Sequence, residues 1–251
     1  MAGTLSVIGI GPGCFEMMTN QAVSALENCD AIIGYHVYVD LVKDRFPGKK
    51  LLTTPMRKEE ERCRLALDEA ASGTRVAFVC SGDAGVYGMA GLIYEVAQEE
   101  PYREVEIEII PGVTAALSGA AMLGAPLIHD FCLISLSDLM TPWETIAGRL
   151  RAAAEGDFGI VLYNPSSHKR ADYLMRACDI LLEILPPEQI CGIAGNIGRE
   201  GAFAKTCTLE ELRDTKVDMF STVFIGNSMT HLVGELMVTP RGYAYERELR
   251  G

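Results

Sequence analysis

Short apolar runs closed by glycine recur along this chain, with amphipathic segments between them, and that alternation constrains its fold more than any other feature. "LSVIGIG" (residues 5–11) is almost continuously apolar, as a strand covered on both faces of a parallel sheet must be. "AIIGY", "KLLTT" and "RVAFVCSGD" continue the series. Between them, Thr19 is placed to cap a helix in which Ala22, Ala25, Leu26 and Cys29 share a face. "MRKEEERCRLALDEAASG" is a charged helix closed by Gly73. A further helix is expected from about Tyr87 to Glu99. "VEIEII" alternates strictly, which places it at a sheet edge or on an exposed face.

A helix from about Thr114 to Leu123 runs into "GAPL", the best candidate for a domain boundary. Beyond it, "FCLISLS", "GIVLYNP", "ICGIAGN", "FAKTCT" and "STVFIGN" are expected strands. "PWETIAGRLRAAAEG" and "HKRADYLMRACDILLEIL" are the helices between them, the second stopped by Pro186 and Pro187. The pattern predicts two successive α/β domains, residues 1–118 and 125–251.

With 49% hydrophobic and 22% charged residues, the 251-residue chain has the composition of a globular protein with a substantial core. A net charge of −12 argues against a nucleic-acid partner. It leaves room for an anionic small molecule in a locally basic pocket. No secretory signal or membrane-spanning run is visible, so a cytoplasmic location is expected. The eight cysteines form no C-x-x-C pair and sit mostly in apolar stretches, where a thiol acts as a small hydrophobe. His36, His129, His168 and His231 lack metal-ligand spacing, and no metal is expected.

Four expected strands end in loops of small or polar residues: "GIGPGC", "CSGDAGVYG", "YNPSSHK" and "FIGNSMTH". In open α/β sheets ligands bind outside the carboxyl ends of strands, so such loops point to a cleft. "GIGPG" is not a dinucleotide fingerprint: the third glycine position is Cys14, and Pro12 removes an amide donor. The acidic residue that fingerprint requires is met only by Asp30, at the start of the second strand rather than its end. Asp83 either meets a ligand or caps the next helix. Lys49, Lys50, Arg57, Lys58, Arg62 and Arg64 form a loose basic cluster diluted by Glu59, Glu60 and Glu61. The cluster is either a solvated helix face or a set of heads for carboxylates.

Together the motifs "GIGPG", "SGDAGVYG", "IIPGVTAA" and "FIGNS", in this order and spacing, resemble the tetrapyrrole (corrin/porphyrin) methyltransferases. "IIGYHVYVDL", "SLSDLMTPWETI", "LYNPSSHKR", "NIGREGA" and "MVTPRGY" resemble the subgroup that methylates carbon 17 of precorrin-3B, or of its cobalt counterpart, and contracts the ring. The resemblance implies a class III methyltransferase fold of two αβα domains, with S-adenosylmethionine folded in a cleft between them and a homodimeric assembly. Carried over, Pro12, Asp83, Gly85, Val86, Thr114 and Ala115 of the first domain would line the donor. Tyr163, Asn164, Asn196, Gly226 and Asn227 of the second would join them. A polycarboxylate tetrapyrrole would meet Gly11, Gly13, Arg57, Lys58, Lys169 and Arg170.

Methyl transfer itself needs mainly orientation. Ring contraction needs proton transfers as well, for which Asp138 and His168 are the candidates. Asp138 has a plainer alternative, capping the helix that starts near Pro142. Two departures stand out. Cys14 replaces the usual Asp of the first loop, whose role is dispensable here or passes to Glu16. Gly195 replaces a common basic residue, which leaves Arg199 to meet a carboxylate. A methyltransferase acting at another macrocycle carbon and a non-catalytic nucleotide-binding module are the alternatives.

Overall fold

The structure is a computed structural model and describes residues 3–167 and 171–243. The chain divides into two compact units, residues 1–115 and 116–251.

The first unit contains β1 (Thr4–Gly9), α1 (Asn20–Asn28), β2 (Ala31–Tyr35), α2 (His36–Asp40), β3 (Lys50–Thr54), α3 (Glu59–Ala71), β4 (Val76–Cys80), α4 (Ala90–Val96) and β5 (Glu106–Ile110). Its sheet runs β3-β2-β4-β1-β5 with every neighbouring pair parallel. Both faces are covered, which is why the central strands are apolar throughout. Leu5, Val7 and Phe78 pack with Cys63, Leu67 and Ile93 on one side. Ile8, Ile32 and Val79 pack with Ala22, Leu26 and Val39 on the other. Thr19 caps α1, its Oγ1 accepting from the Ala22 amide at 3.1 Å. β5 occupies the edge with Glu106 and Glu108 exposed, as its alternation predicts.

The helix expected from Tyr87 to Glu99 is only the seven residues of α4, because Tyr87 takes a left-handed backbone (φ 53) before it. Asp30 accepts the guanidinium of Arg75 through both oxygens, at 2.9 and 2.6 Å. That pair holds its carboxyl down to about 2 and commits it to structure rather than to a ribose.

α5 (Ala115–Leu123) starts at the boundary and leads to β6 (Gly124–Ala125), β7 (Phe131–Ser135), α6 (Trp143–Glu155), β8 (Gly159–Tyr163), α7 (Tyr173–Leu182), β9 (Ile190–Gly195), β10 (Phe203–Thr208), α8 (Leu209–Arg213), β11 (Ser221–Ile225), β12 (His231–Val233) and β13 (Leu236–Val238). The larger sheet runs β10-β9-β11-β8-β7. Only β7 and β8 are parallel; β11 runs antiparallel to both β8 and β9. α6, α7 and α8 cover one face through Ile146, Leu150, Leu174, Leu181, Leu209 and Leu212. α5 lies against the other, so closely that a Cβ on Gly119 would stand 2.9 Å from the Phe224 ring. β12, β13 and β6 form a small third sheet. No helix of the described residues is long and apolar enough to cross a membrane.

Candidate functional site

In the first unit, β4, β1 and β5 are neighbours and parallel, so their carboxyl ends share one edge. Three loops meet there. Gly11 and Gly82 exchange backbone hydrogen bonds at 3.0 and 2.7 Å, both with positive φ (73 and 68). The loop after β5 crosses them at Gly112, where a Cβ would lie 2.1 Å from the Gly82 carbonyl oxygen and 2.5 Å from that of Gly9. Glycine is the residue that permits three backbones to approach so closely.

Asp83 fastens the junction. Its Oδ1 accepts from the amides of Gly85 (2.8 Å) and Val86 (3.1 Å), and its Oδ2 from Gly112 (2.9 Å). Asp83 is therefore a positioning residue, and what the loops offer a ligand is chiefly backbone. Pro12 and Thr114 are buried within the same cluster, while Gly85 is exposed. Cys14 precedes a short 3-10 turn, Phe15–Met17, in which Glu16 is exposed.

The second unit divides its candidates between two edges. Tyr163 ends β8, Asn164 follows it and Asn196 follows β9, at one edge. Asn164 and Asn196 hold positive φ (54 and 50), a conformation asparagine tolerates. Asn164 donates to Ser135 Oγ at 2.8 Å, and the Tyr163 hydroxyl accepts from the Ala116 amide at 2.8 Å. Gly226 and Asn227 follow β11, which runs the other way, so they lie at the opposite edge. A strand of that length separates them from Tyr163 by roughly 17 Å. Clustering of all the expected strand-end loops therefore fails in this unit. The Asn227 side chain is spent locally, accepting from the Met229 amide and the Thr230 hydroxyl.

Asp138 follows β7 on the same edge as Tyr163 and is exposed. It accepts a hydrogen bond from the Tyr173 hydroxyl, and that bond holds the phenol above its usual range. The Tyr173 ring packs on Trp143 at 4.8 Å, and Arg176 stacks over Trp143 at 4.0 Å. Nothing in the sequence tied Tyr173 to Asp138, since they stand 35 residues apart. His168, Lys169 and Arg170 lie outside the described residues.

Half of the basic cluster is neutralised locally. Lys58 pairs with Glu61 at 3.0 Å, Lys50 with Glu69 at 2.6 Å, and Arg64 with Glu60 and Glu99 at 2.9 and 2.6 Å. Arg57 is exposed with φ 65. Arg199 lies 5.4 Å from the Phe220 ring centre. All eight cysteines are free. Burial pushes the Cys63 thiol up to about 12 and Cys80 to about 11, which removes them as nucleophiles.

Residues 4–213 match the family described as Tetrapyrrole (Corrin/Porphyrin) Methylases. Over 239 residues the chain is 46% identical to a probable cobalt-factor III C(17)-methyltransferase of Salmonella typhimurium, covering 95% of this chain and 99% of that protein. It is 40% identical over 251 residues to a precorrin-3B C(17)-methyltransferase of Sinorhizobium sp, covering 97% and 98%. The crystal structure of the methyltransferase CobJ, 38% identical, superposes with a TM-score of 0.89 over 95% of this chain and 100% of that one.

Proposed function

The chain belongs to the tetrapyrrole (corrin/porphyrin) methylases, and on that premise we propose that it methylates carbon 17 of a precorrin-3B or cobalt-factor III macrocycle, with ring contraction, in cobalamin biosynthesis. The observation that carries this reading is the end-to-end likeness to two C(17)-methyltransferases.

S-adenosylmethionine supplies a methyl group made electrophilic by its sulfonium. The first unit's loops suit a folded nucleoside of this kind: they present backbone groups, and the carboxylate of Asp83 is already occupied by three amides. We assign donor contacts to Pro12, Gly85, Val86, Thr114 and Ala115, held in place by Asp83, and to Tyr163, Asn164 and Asn196. Gly226 and Asn227 are assigned to the turn at the opposite edge of their sheet. Holding donor and acceptor aligned and dry supplies up to about 7–11 kcal/mol of the barrier. Gly11 and Gly13 leave the macrocycle an approach to the first loop, and Arg57, Lys58, Lys169 and Arg170 face its carboxylates. For the contraction, Asp138 holds or accepts a proton, with Tyr173 fixing its carboxylate. The working assembly is a homodimer, which rests on the family resemblance, and the working place the cytoplasm, which rests on the lack of a visible secretory signal or membrane-spanning run.

The test is anaerobic incubation with S-adenosylmethionine and the trimethylated macrocycle, with and without cobalt, read by mass spectrometry. One added methyl is expected on one of the two forms. Asp138→Asn is expected to slow the contraction by about 10²–10⁴-fold while donor affinity stays unchanged. Donor binding with no methyl added to either form would leave the non-catalytic module as the better reading.

A further inference from the structure

Arg62 is a charged residue on the wrong face of its helix. In α3 the buried positions are Arg62, Cys63, Ala66, Leu67 and Ala70, while Glu59, Glu60 and Glu61 point to solvent. A helix face of that spacing calls for an apolar side chain at position 62. Arg62 is only 4% exposed, yet among the described residues it takes no carboxylate partner. Its Nε donates to Thr54 Oγ1 at 2.7 Å, its Nη2 to the Pro55 carbonyl at 2.9 Å, and the guanidinium lies 5.8 Å from the Tyr35 ring centre. Two residues along, the half-buried Arg64 is neutralised twice over by Glu60 and Glu99.

Arginine is seldom buried without an anion, because desolvating the charge is costly unless a counter-charge offsets it. Three glutamates in the same turn could have supplied one, and none is turned toward it. The guanidinium stands where Tyr35 ends β2 and Thr54 ends β3. That is the carboxyl edge of the parallel sheet, the edge that also carries the Pro12 and Asp83 loops. Thr54 and Pro55 engage one side of the fork, and Nη1 makes no hydrogen bond among the described residues.

We propose that Arg62 binds a carboxylate of the macrocycle, held by Thr54, Pro55 and Tyr35 with its remaining N–H groups turned to the substrate. This assignment rests on the methyltransferase reading above. A carboxylate is the fitting guest because it matches the guanidinium fork and supplies the charge the site lacks.

Steady-state kinetics with the trimethylated macrocycle, alongside calorimetric titration of S-adenosylhomocysteine, test it. Arg62→Met is expected to raise the macrocycle KM by about tenfold or more, the worth of one charge-assisted hydrogen bond, with kcat and donor affinity within about twofold of wild type. Arg62→Lys, which keeps the charge without the fork, is expected to recover part of the loss, and carries the test alone if Arg62→Met does not fold. An unmoved KM in a folded variant overturns the assignment. So does a fall in KM performance, kcat and donor affinity together with thermal stability, which marks a structural role. Wild-type protein that binds the donor but does not turn over the macrocycle overturns the methyltransferase reading itself, and Arg62's role with it.

Discussion

A single methyl group at Gly112 is expected to stop this enzyme. The Cβ of Gly112→Ala would meet the carbonyl oxygens of Gly82 at 2.1 Å and Gly9 at 2.5 Å. All the nearest atoms are backbone, so no side chain can swing aside and the loops after β1, β4 and β5 must part. Overpacking of this kind costs about 1–3 kcal/mol of stability. Turnover suffers more, since displacing a binding loop by about 1 Å loses roughly a hundredfold in rate. Gly148→Ala is the matched control. Gly148 lies in the exposed middle of α6 with open space around its Cβ, and alanine there is expected to stabilise by about 0.5–1 kcal/mol with activity intact. Thermal melts and methyl-transfer rates on the two variants separate the cases. Full activity in Gly112→Ala would show that the three-loop crossing has no part in the site.

The second large effect is expected at Asp83. Asp83→Asn keeps the shape of the side chain but turns an amide donor toward a backbone N–H that now gives its hydrogen to a carboxylate oxygen. Each such charge-assisted bond is worth about 1.5–3 kcal/mol, so losing one predicts a donor affinity weaker by about tenfold or more. Its three hydrogen bonds all go to loop amides, and the fold should persist. Titration with S-adenosylhomocysteine reads the loss, and circular dichroism checks the fold. Donor affinity within about twofold of wild type would mean that the Asp83 network does not shape the donor site.

How much of this was legible in the sequence follows from what each segment had to satisfy. The first sheet was readable because its central strands are buried on both faces, and "VAFVC" can hardly be anything else. The edge place of β5 was readable because Glu106 and Glu108 must reach water. Strand direction in the second unit was not readable. "STVFI" is buried at every position, and a strand covered on both faces carries no mark of which way it runs. Its antiparallel course moved Gly226 and Asn227 to the far edge. β6, β12 and β13 have two or three residues each, too few for any period to show.

The site shows the same limit at the level of side chains. Asp83 admitted two readings, ligand contact or helix cap, and the structure gives a third in which it ties two loops through Gly112. The bond between Asp138 and Tyr173 was hidden as well, because only the packing of α7 brings the two together. Arg62 was one cation among the six of the basic cluster, and only its burial sets it apart.

The account's central claim is the carbon that receives the methyl group. Incubating the protein anaerobically with S-adenosylmethionine labelled with carbon-13 in its methyl, and with the trimethylated macrocycle, allows the product to be read by nuclear magnetic resonance. The account predicts the label on carbon 17 of a contracted ring. A label on any other carbon, with the ring uncontracted, would contradict it and assign the chain to a different step on the macrocycle.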